Sequence, residues 1–280
     1  MSQAAGVQRP FHKFFVDRGT HLAAMVAYFS LLSFVPLTFL ALSLLGLAGQ
    51  TDESSYLVHE LQRTFPGTPI GRIETLVRTV RTNAATLGVV GIVLLLWTSL
   101  SLFSVLESAF NIVYDRPNRG FLHGKGIAVL LLFGSLITLF AGLLAGGVGY
   151  RLLEDLAPGV LAEPVVAYAV SVLTSSVAAF LFLLASYYFL TNEQLTIRDV
   201  LPGTLVATVV LAVTFQAVPI YLRFSSNSPA LQVFGGPAIL LVWMYVMANV
   251  IVFGAEVNFA RRQSHLASHR LVAPEGDGPN

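Results

Sequence analysis

The chain has 280 residues, 55% of them hydrophobic and 11% charged, with a net charge of +1 and no cysteine. A soluble domain carries roughly 25% charged residues, so this composition excludes a fold whose outer face is covered by water. The near-neutral charge gives no footing for nucleic-acid binding, and the lack of cysteine excludes disulfides, thiolate metal sites and cysteine nucleophiles.

Residues 1–21 hold Arg9, Lys13, Asp17 and Arg18 and no apolar core of a signal peptide, so the first apolar segment is expected to act as its own insertion signal. Six stretches then carry no Asp, Glu, Lys or Arg: 19–51, 82–106, 126–150, 164–192, 200–222 and 224–255. Each exceeds the ~20 residues a helix needs to cross a bilayer core. They are continuously apolar rather than alternating over ~10 residues, which argues for helices and against barrel strands. The predicted spans are 22–47, 86–112, 126–150, 164–190, 200–222 and 237–259. The expected fold is therefore all-α: a polytopic membrane protein with a bundle of six transmembrane helices in one domain, 1–262. A disordered cytoplasmic tail, 263–280, follows.

Between the first two spans, Ile70, Ile73, Val77 and Val80 recur at helical spacing, with Arg72, Glu74, Arg78 and Arg81 at other positions. The pattern predicts an amphipathic helical segment on the outer surface. It serves either as a lid on the spans or as a contact with lipid headgroups through Arg72, Arg78 and Arg81. Residues 225–236 are uncharged and rich in helix breakers, and read as an outer loop or a re-entrant segment. With six spans and the N-terminus inside, the inner segments hold Arg9, Lys13, Arg18, Arg116, Arg119, Lys125, Arg198, Arg261, Arg262 and Arg270. The outer ones hold Arg63, Arg72, Arg78, Arg81, Arg151 and Arg223, four of them in the one long loop. This bias places both termini in the cytoplasm.

Two acidic residues, Glu107 and Glu256, fall inside spans, at similar depth near the inner end. Ionisable groups there are functional candidates. Asn111 lies one turn beyond Glu107 on the same face. Tyr28, Ser30 and Ser33 on the first span, Tyr187, Tyr188, Thr191 and Asn192 on the fourth, and Thr204 on the fifth stand at that level too. If these faces converge they build a polar cavity open to the cytoplasm, with Tyr28, Glu107, Asn111, Tyr187 and Glu256 along a substrate or proton path. The competing expectation is that both carboxylates anchor helix ends, paired with Arg116, Arg261 or Arg262. Pro36 and Pro219 are candidate kinks, and Gly142 with Gly146 permits a close helix contact. No carboxylate–histidine cluster stands at metal-ligand spacing, and His265 with His269 falls in the polar tail, so neither metal nor cofactor is expected.

Four stretches carry a resemblance: Ala27-Tyr28-Phe29-Ser30-Leu31-Leu32-Ser33-Phe34-Val35-Pro36-Leu37, Trp97 to Tyr114 with its ending Phe110-Asn111-Ile112-Val113-Tyr114, Asp199-Val200-Leu201-Pro202-Gly203, and Gly254-Ala255-Glu256-Val257-Asn258. In this order they resemble the YihY/BrkB family, once labelled ribonuclease BN, over residues 10 to 262. The resemblance implies a bacterial inner-membrane protein of six helical spans, linked to serum resistance and envelope lipid export. Members usually show a Tyr- and Gly-rich stretch before the last span. Here it reads Ser228-Pro229-Ala230-Leu231-Gln232-Val233-Phe234-Gly235-Gly236, so no role tied to that stretch carries over. The expected function is a transporter or flippase-like protein for a lipid or amphipathic envelope component. The alternative is a non-catalytic scaffold of an envelope complex. The expected partners are membrane lipids, envelope proteins or a second copy, and not nucleic acid. No nucleotide-binding Gly-x-x-x-x-Gly-Lys motif occurs. The loop 113–125, with Asp115, Arg116, Arg119, His123 and Lys125, is too short for a ribonuclease site and is explained by the positive-inside rule. The chain is therefore expected not to be an enzyme.

Overall fold

The computed structural model describes residues 10–47, 84–137, 164–225 and 229–272. Among them the chain forms seven helices and no strand. They are α1 (Pro10–Val16), α2 (Gly19–Leu47), α3 (Ala84–Val113), α4 (Phe121–Ile137), α5 (Pro164–Leu190), α6 (Ile197–Ser225) and α7 (Pro229–Val272). Three of them open on proline, whose fixed φ and missing N–H suit the first helical position. Stretches of α3, α5, α6 and α7 are long and apolar enough to cross a membrane, while Gly19–Phe34 and Phe121–Ile137 are shorter apolar helices. The expected segment between the first two spans, with Arg72, Arg78 and Arg81, lies outside the described residues, as do Gly142 and Gly146.

Some boundaries differ from the expectation. α7 begins at Pro229 instead of 237, so the backbone of 229–236 is helical. It also runs to Val272, past the point where a disordered tail was expected. Ala260-Arg261-Arg262-Gln263 and Leu266-Ala267 are strong helix formers, and Arg262 is held by an ion pair described below. Pro36 and Pro219 both lie within continuous helical backbone, in α2 and α6.

α2 packs on α3 and α7, α6 on α7 and α5, and α1 on α7. α6 and α7 approach closely. A Cβ built at Gly203 would run into the carbonyl oxygen of Gly254, and one at Gly254 into the Tyr187 hydroxyl. Small residues let the backbones meet, as is usual where lipid leaves no hydrophobic drive between helices. The contact is then sealed by polar groups. The Gly203 N–H donates to Asn258 Oδ1 at 2.6 Å, and the Tyr187 hydroxyl donates to the Ile251 carbonyl at 2.7 Å. Ile251, Gly254, Ala255 and Asn258 follow the i, i+3, i+4 spacing of one helix face.

The expected consequence is that Gly203→Ala destabilises the bundle by about 1–3 kcal/mol through overpacking. Gly126→Ala, where an added Cβ meets nothing within 4 Å, should be neutral or slightly stabilising. Melting temperatures of the two variants in one detergent check the pair.

Candidate functional site

Four described segments meet at one end of the bundle: α1, the turn 114–120, the turn 191–196 and the later part of α7. Glu107, on α3, accepts a hydrogen bond at Oε1 from the Arg119 backbone N–H at 3.2 Å, with the Arg119 guanidinium 3.8 Å away. Gly124, in the first turn of α4, leaves room for that carboxylate, since its added Cβ would stand 2.8 Å from Glu107 Oε2. The positive end of the helix dipole therefore faces the acid. Arg119 continues to α5, donating from Nη1 to the Leu190 carbonyl at 2.6 Å and from Nη2 to the Thr191 carbonyl at 2.7 Å. It satisfies carbonyls that a helix end leaves without partners.

Asn111, fully buried, is the second tie. Its Oδ1 accepts from the Asn192 N–H at 2.6 Å, and its Nδ2 donates to Asn118 Oδ1 at 3.1 Å. Asn118 donates onward to Ser108 at 2.7 Å, and Asn192 to the Pro117 carbonyl at 2.9 Å. Glu193 is the third tie. It pairs with Arg116 from the first turn and with Arg262 of α7, the latter at 3.1 Å. Burial works to raise the Glu193 pKa, but hydrogen bonds and charge from Arg116 and Arg262 outweigh it and hold the carboxyl below its ordinary value. Asp199 closes the start of α6, accepting from the Thr196 N–H and hydroxyl, both at 2.8 Å, in a capping-box arrangement.

Glu256 is enclosed differently. It is 0% exposed, and neither carboxylate oxygen accepts a hydrogen bond from a described residue. Its charge partner is Lys13 of α1, with Nζ 4.0 Å from Oε2. Lys13 is itself buried, pairs with Asp17, and sits 4.5 Å over the Phe259 ring. α1 thus turns its cation inward and leaves Phe11, Phe15 and Val16 exposed.

The residues expected along a path are therefore distributed as follows. Glu107 and Asn111 join the turn 114–120 to the end of α5. Tyr187 locks α5 to α7. Glu256 holds α1. Tyr28 is 54% exposed on the outer face of α2. The expected arginine partners are also reassigned: Arg116 and Arg262 serve Glu193, Arg261 is exposed, and the two intramembrane acids take Arg119 and Lys13 instead. Sequence reading missed Glu193 and Lys13. The Thr-x-x-Asp spacing at 196–199 was a legible signal for the cap, whereas nothing local marked Lys13 as a buried residue.

A cavity of about 1020 Å³ lies apart from these ties, between α2, α3, α4 and α5. Leu95, Leu102, Phe103, Leu130, Phe133, Leu181 and Phe182 are among its walls, and its polar side chains are Ser30, Ser33, Ser99 and Ser135. Tyr28, Glu107, Asn111, Tyr187 and Glu256 do not line it. The chamber is apolar, and the groups expected along a path stand outside it: Glu107, Asn111 and Tyr187 are hydrogen-bonded elsewhere, while neither Glu256 oxygen has a hydrogen-bond partner among the described residues. Leu130, Phe133 and Leu181 of its lining are about half exposed, so the chamber is open and not sealed by the helices.

Two outcomes follow from the ion pairs. Lys13→Met strands buried carboxylates and should cost about 3–5 kcal/mol, much of it recovered on adding Glu256→Gln. A double-mutant cycle of detergent melting curves measures this. Glu193 has a depressed pKa, so its contribution is complete above the unfolded value of about 4.3 and is lost as pH falls through the lower folded value. The melting temperature of wild type should exceed that of Glu193→Gln at pH 7, and the gap should close on acidification below pH ~4.

No solved structure matches the chain. Residues 11–277 match the family model described as Virulence factor BrkB. The ribonuclease-like protein YfkH of Bacillus subtilis (strain 168) is 24% identical over 255 residues, covering 89% of this chain and 92% of that protein. A UPF0761 membrane protein of Pseudomonas aeruginosa (strain LESB58) is 26% identical over 259 residues, covering 87% of this chain and 59% of its own length. A UPF0761 membrane protein of Chromohalobacter salexigens is 25% identical over 275 residues, 94% of this chain and 64% of that one. The chain thus spans about three fifths of the UPF0761 relatives and nearly all of YfkH. With a family match over almost its whole length and a bundle of long apolar helices, the chain belongs to the BrkB family of multi-pass membrane proteins.

Proposed function

We propose that this protein moves a lipid or amphipathic envelope component within the bacterial inner membrane, taking the apolar part of the cargo into the chamber between α2, α3, α4 and α5. The observation that carries this reading is the chamber itself. Its volume of about 1020 Å³ matches the upper end of ligand sites, about 300–1,000 Å³. Its walls are hydrocarbon, so an acyl chain coming from the bilayer would meet the same kind of surroundings inside it. Such an occupant enters without leaving apolar surroundings, while the serines offer hydroxyls to a polar group.

The orientation that fits has both termini in the cytoplasm. Lys13, Arg18, Arg116, Arg119, Lys125, Arg198, Arg261 and Arg262 belong to the segments gathered at the polar end, and short cytoplasmic flanks favour Lys and Arg. The ties at that end make it a fixed floor. Glu107, Asn111 and Glu193 are each engaged by two or more groups from other segments, so the chamber is the roomier part of the described bundle.

The test is reconstitution into liposomes carrying a headgroup-labelled fluorescent lipid, with a membrane-impermeant quencher added outside. Wild-type protein should expose label that protein-free liposomes protect. Ala179→Trp, which fills the chamber, should slow the exchange by about tenfold, the rate equivalent of ~1.4 kcal/mol. Identical traces for wild type, the variant and empty liposomes would sink the transport reading and leave the scaffold.

A further inference from the structure

Lys125 stands in the first turns of α4, where a lysine near a membrane surface ordinarily extends toward water. Here it reaches the other way. Its Nζ donates to Ser104 Oγ at 2.8 Å and lies 3.3 Å from the Leu100 carbonyl, both on α3. Ser104 is nine residues before the end of α3 at Val113, a depth of about 14 Å at 1.5 Å per residue. The ammonium is therefore drawn into the span, half buried, with the Phe121 ring 5.8 Å away.

The position adjoins the chamber. Gly126, the next residue, lines it, as do Ser99 and Phe103, the neighbours of Leu100 and Ser104 on α3. The other cations at the polar end that make side-chain ties, Lys13, Arg116, Arg119 and Arg262, each stand beside a carboxylate. Among the described residues Lys125 has neutral acceptors alone, a hydroxyl and a carbonyl. An ammonium has three donors, and two contacts leave one N–H unassigned. A charge taken from water is costly unless an opposite charge meets it, and among the described residues no carboxylate pairs with this ammonium, the nearby Glu107 being taken by Arg119.

We infer that Lys125 is the headgroup site of the chamber and that the cargo is an acidic glycerophospholipid, its acyl part among Leu102, Phe103 and Phe133 and its phosphate oxygen on the Lys125 ammonium. This rests on the lipid-handling reading above and adds the charge of the cargo to it. The chamber supplies the apolar match, and Lys125, beside the lining residues Gly126 and Phe103, supplies the charge complement at its margin. Ser99 is placed to give a hydroxyl to the glycerol region. A phosphatidylcholine headgroup carries its own cation and gains less from the same ammonium.

The experiment is native mass spectrometry of the full chain in detergent, titrated with phosphatidylglycerol or phosphatidylcholine of identical acyl chains. Wild type should hold phosphatidylglycerol about tenfold more tightly, in keeping with one charge-assisted contact. Lys125→Gln should bring the two lipids to parity by weakening phosphatidylglycerol alone, and Lys125→Arg should keep the preference. Ala179→Trp should weaken both lipids. Equal binding of the two lipids by wild type, a measurement that needs no variant to fold, overturns the headgroup assignment. A preference that survives Lys125→Gln overturns it as well, while the lipid-handling reading stands if Ala179→Trp still blocks both. Binding of both lipids unaffected by Ala179→Trp removes the chamber as the lipid site, and both readings fall with it.

Discussion

A charge withdrawn from water needs an opposite charge or a set of aligned dipoles, and at the polar end of this bundle that requirement fixes how four chain segments meet. Glu193 draws one arginine from the turn after α3 and one from the last helix. Arg119 spans from the Glu107 carboxylate to the carbonyls that α5 leaves open. Asn111, buried among them, gives its amide to one turn and its carbonyl to the other. Each of these groups removed alone would strand a partner. The arrangement is therefore cooperative, and it holds α3, α5 and α7 in register where hydrophobic contact alone, in a hydrocarbon solvent, would not.

That concentration of polar contacts has a consequence for the rest of the molecule. Three hydroxyls expected to face a central cavity are spent on backbone carbonyls: Tyr187 on Ile251, Thr191 on Tyr187, Thr204 on Val200. What remains between α2, α3, α4 and α5 is a space bounded by leucine and phenylalanine. The dense polar ties at one end and the apolar chamber beside them are two sides of one distribution, since most buried polar atoms go where partners are.

The helical class and the bundle itself were legible from charge-free runs alone, because the lipid solvent imposes a length and a composition on every span. The span 164–190 coincides with α5, and the end of α3 falls within a residue of its expected place. Glu107 and Glu256 could be singled out because ionisable residues in apolar runs are rare. Their partners could not. Arg119 and Lys13 lie in segments whose folding back is decided by turns, such as the left-handed backbone at Arg18 and Asp115, and periodicity carries no information about it. The same blindness hid the chamber. An apolar wall residue and an apolar packing residue look alike in sequence, and only the spacing of four helices distinguishes them.

Two glutamates that sequence treats as equivalent thus end in unlike states. Glu107 accepts a backbone N–H, faces an arginine and meets the start of a helix, so its negative charge is met from three directions. Glu256 has a single cation at 4.0 Å and no hydrogen bond from a described residue to either oxygen. That cation is carried on a seven-residue helix whose hold on α7 includes the edge-to-face contacts of Phe14 and Phe11 with Phe253, at 6.0 and 6.5 Å. So short a helix is not stable by itself; it persists because the bundle receives Phe14 and Lys13 together. The state of Glu256 is accordingly tied to the docking of α1, whereas that of Glu107 is fixed within the bundle. Equal depth in the membrane does not make two carboxylates equal, because the number and rigidity of their neighbours decide how much of the charge is already answered.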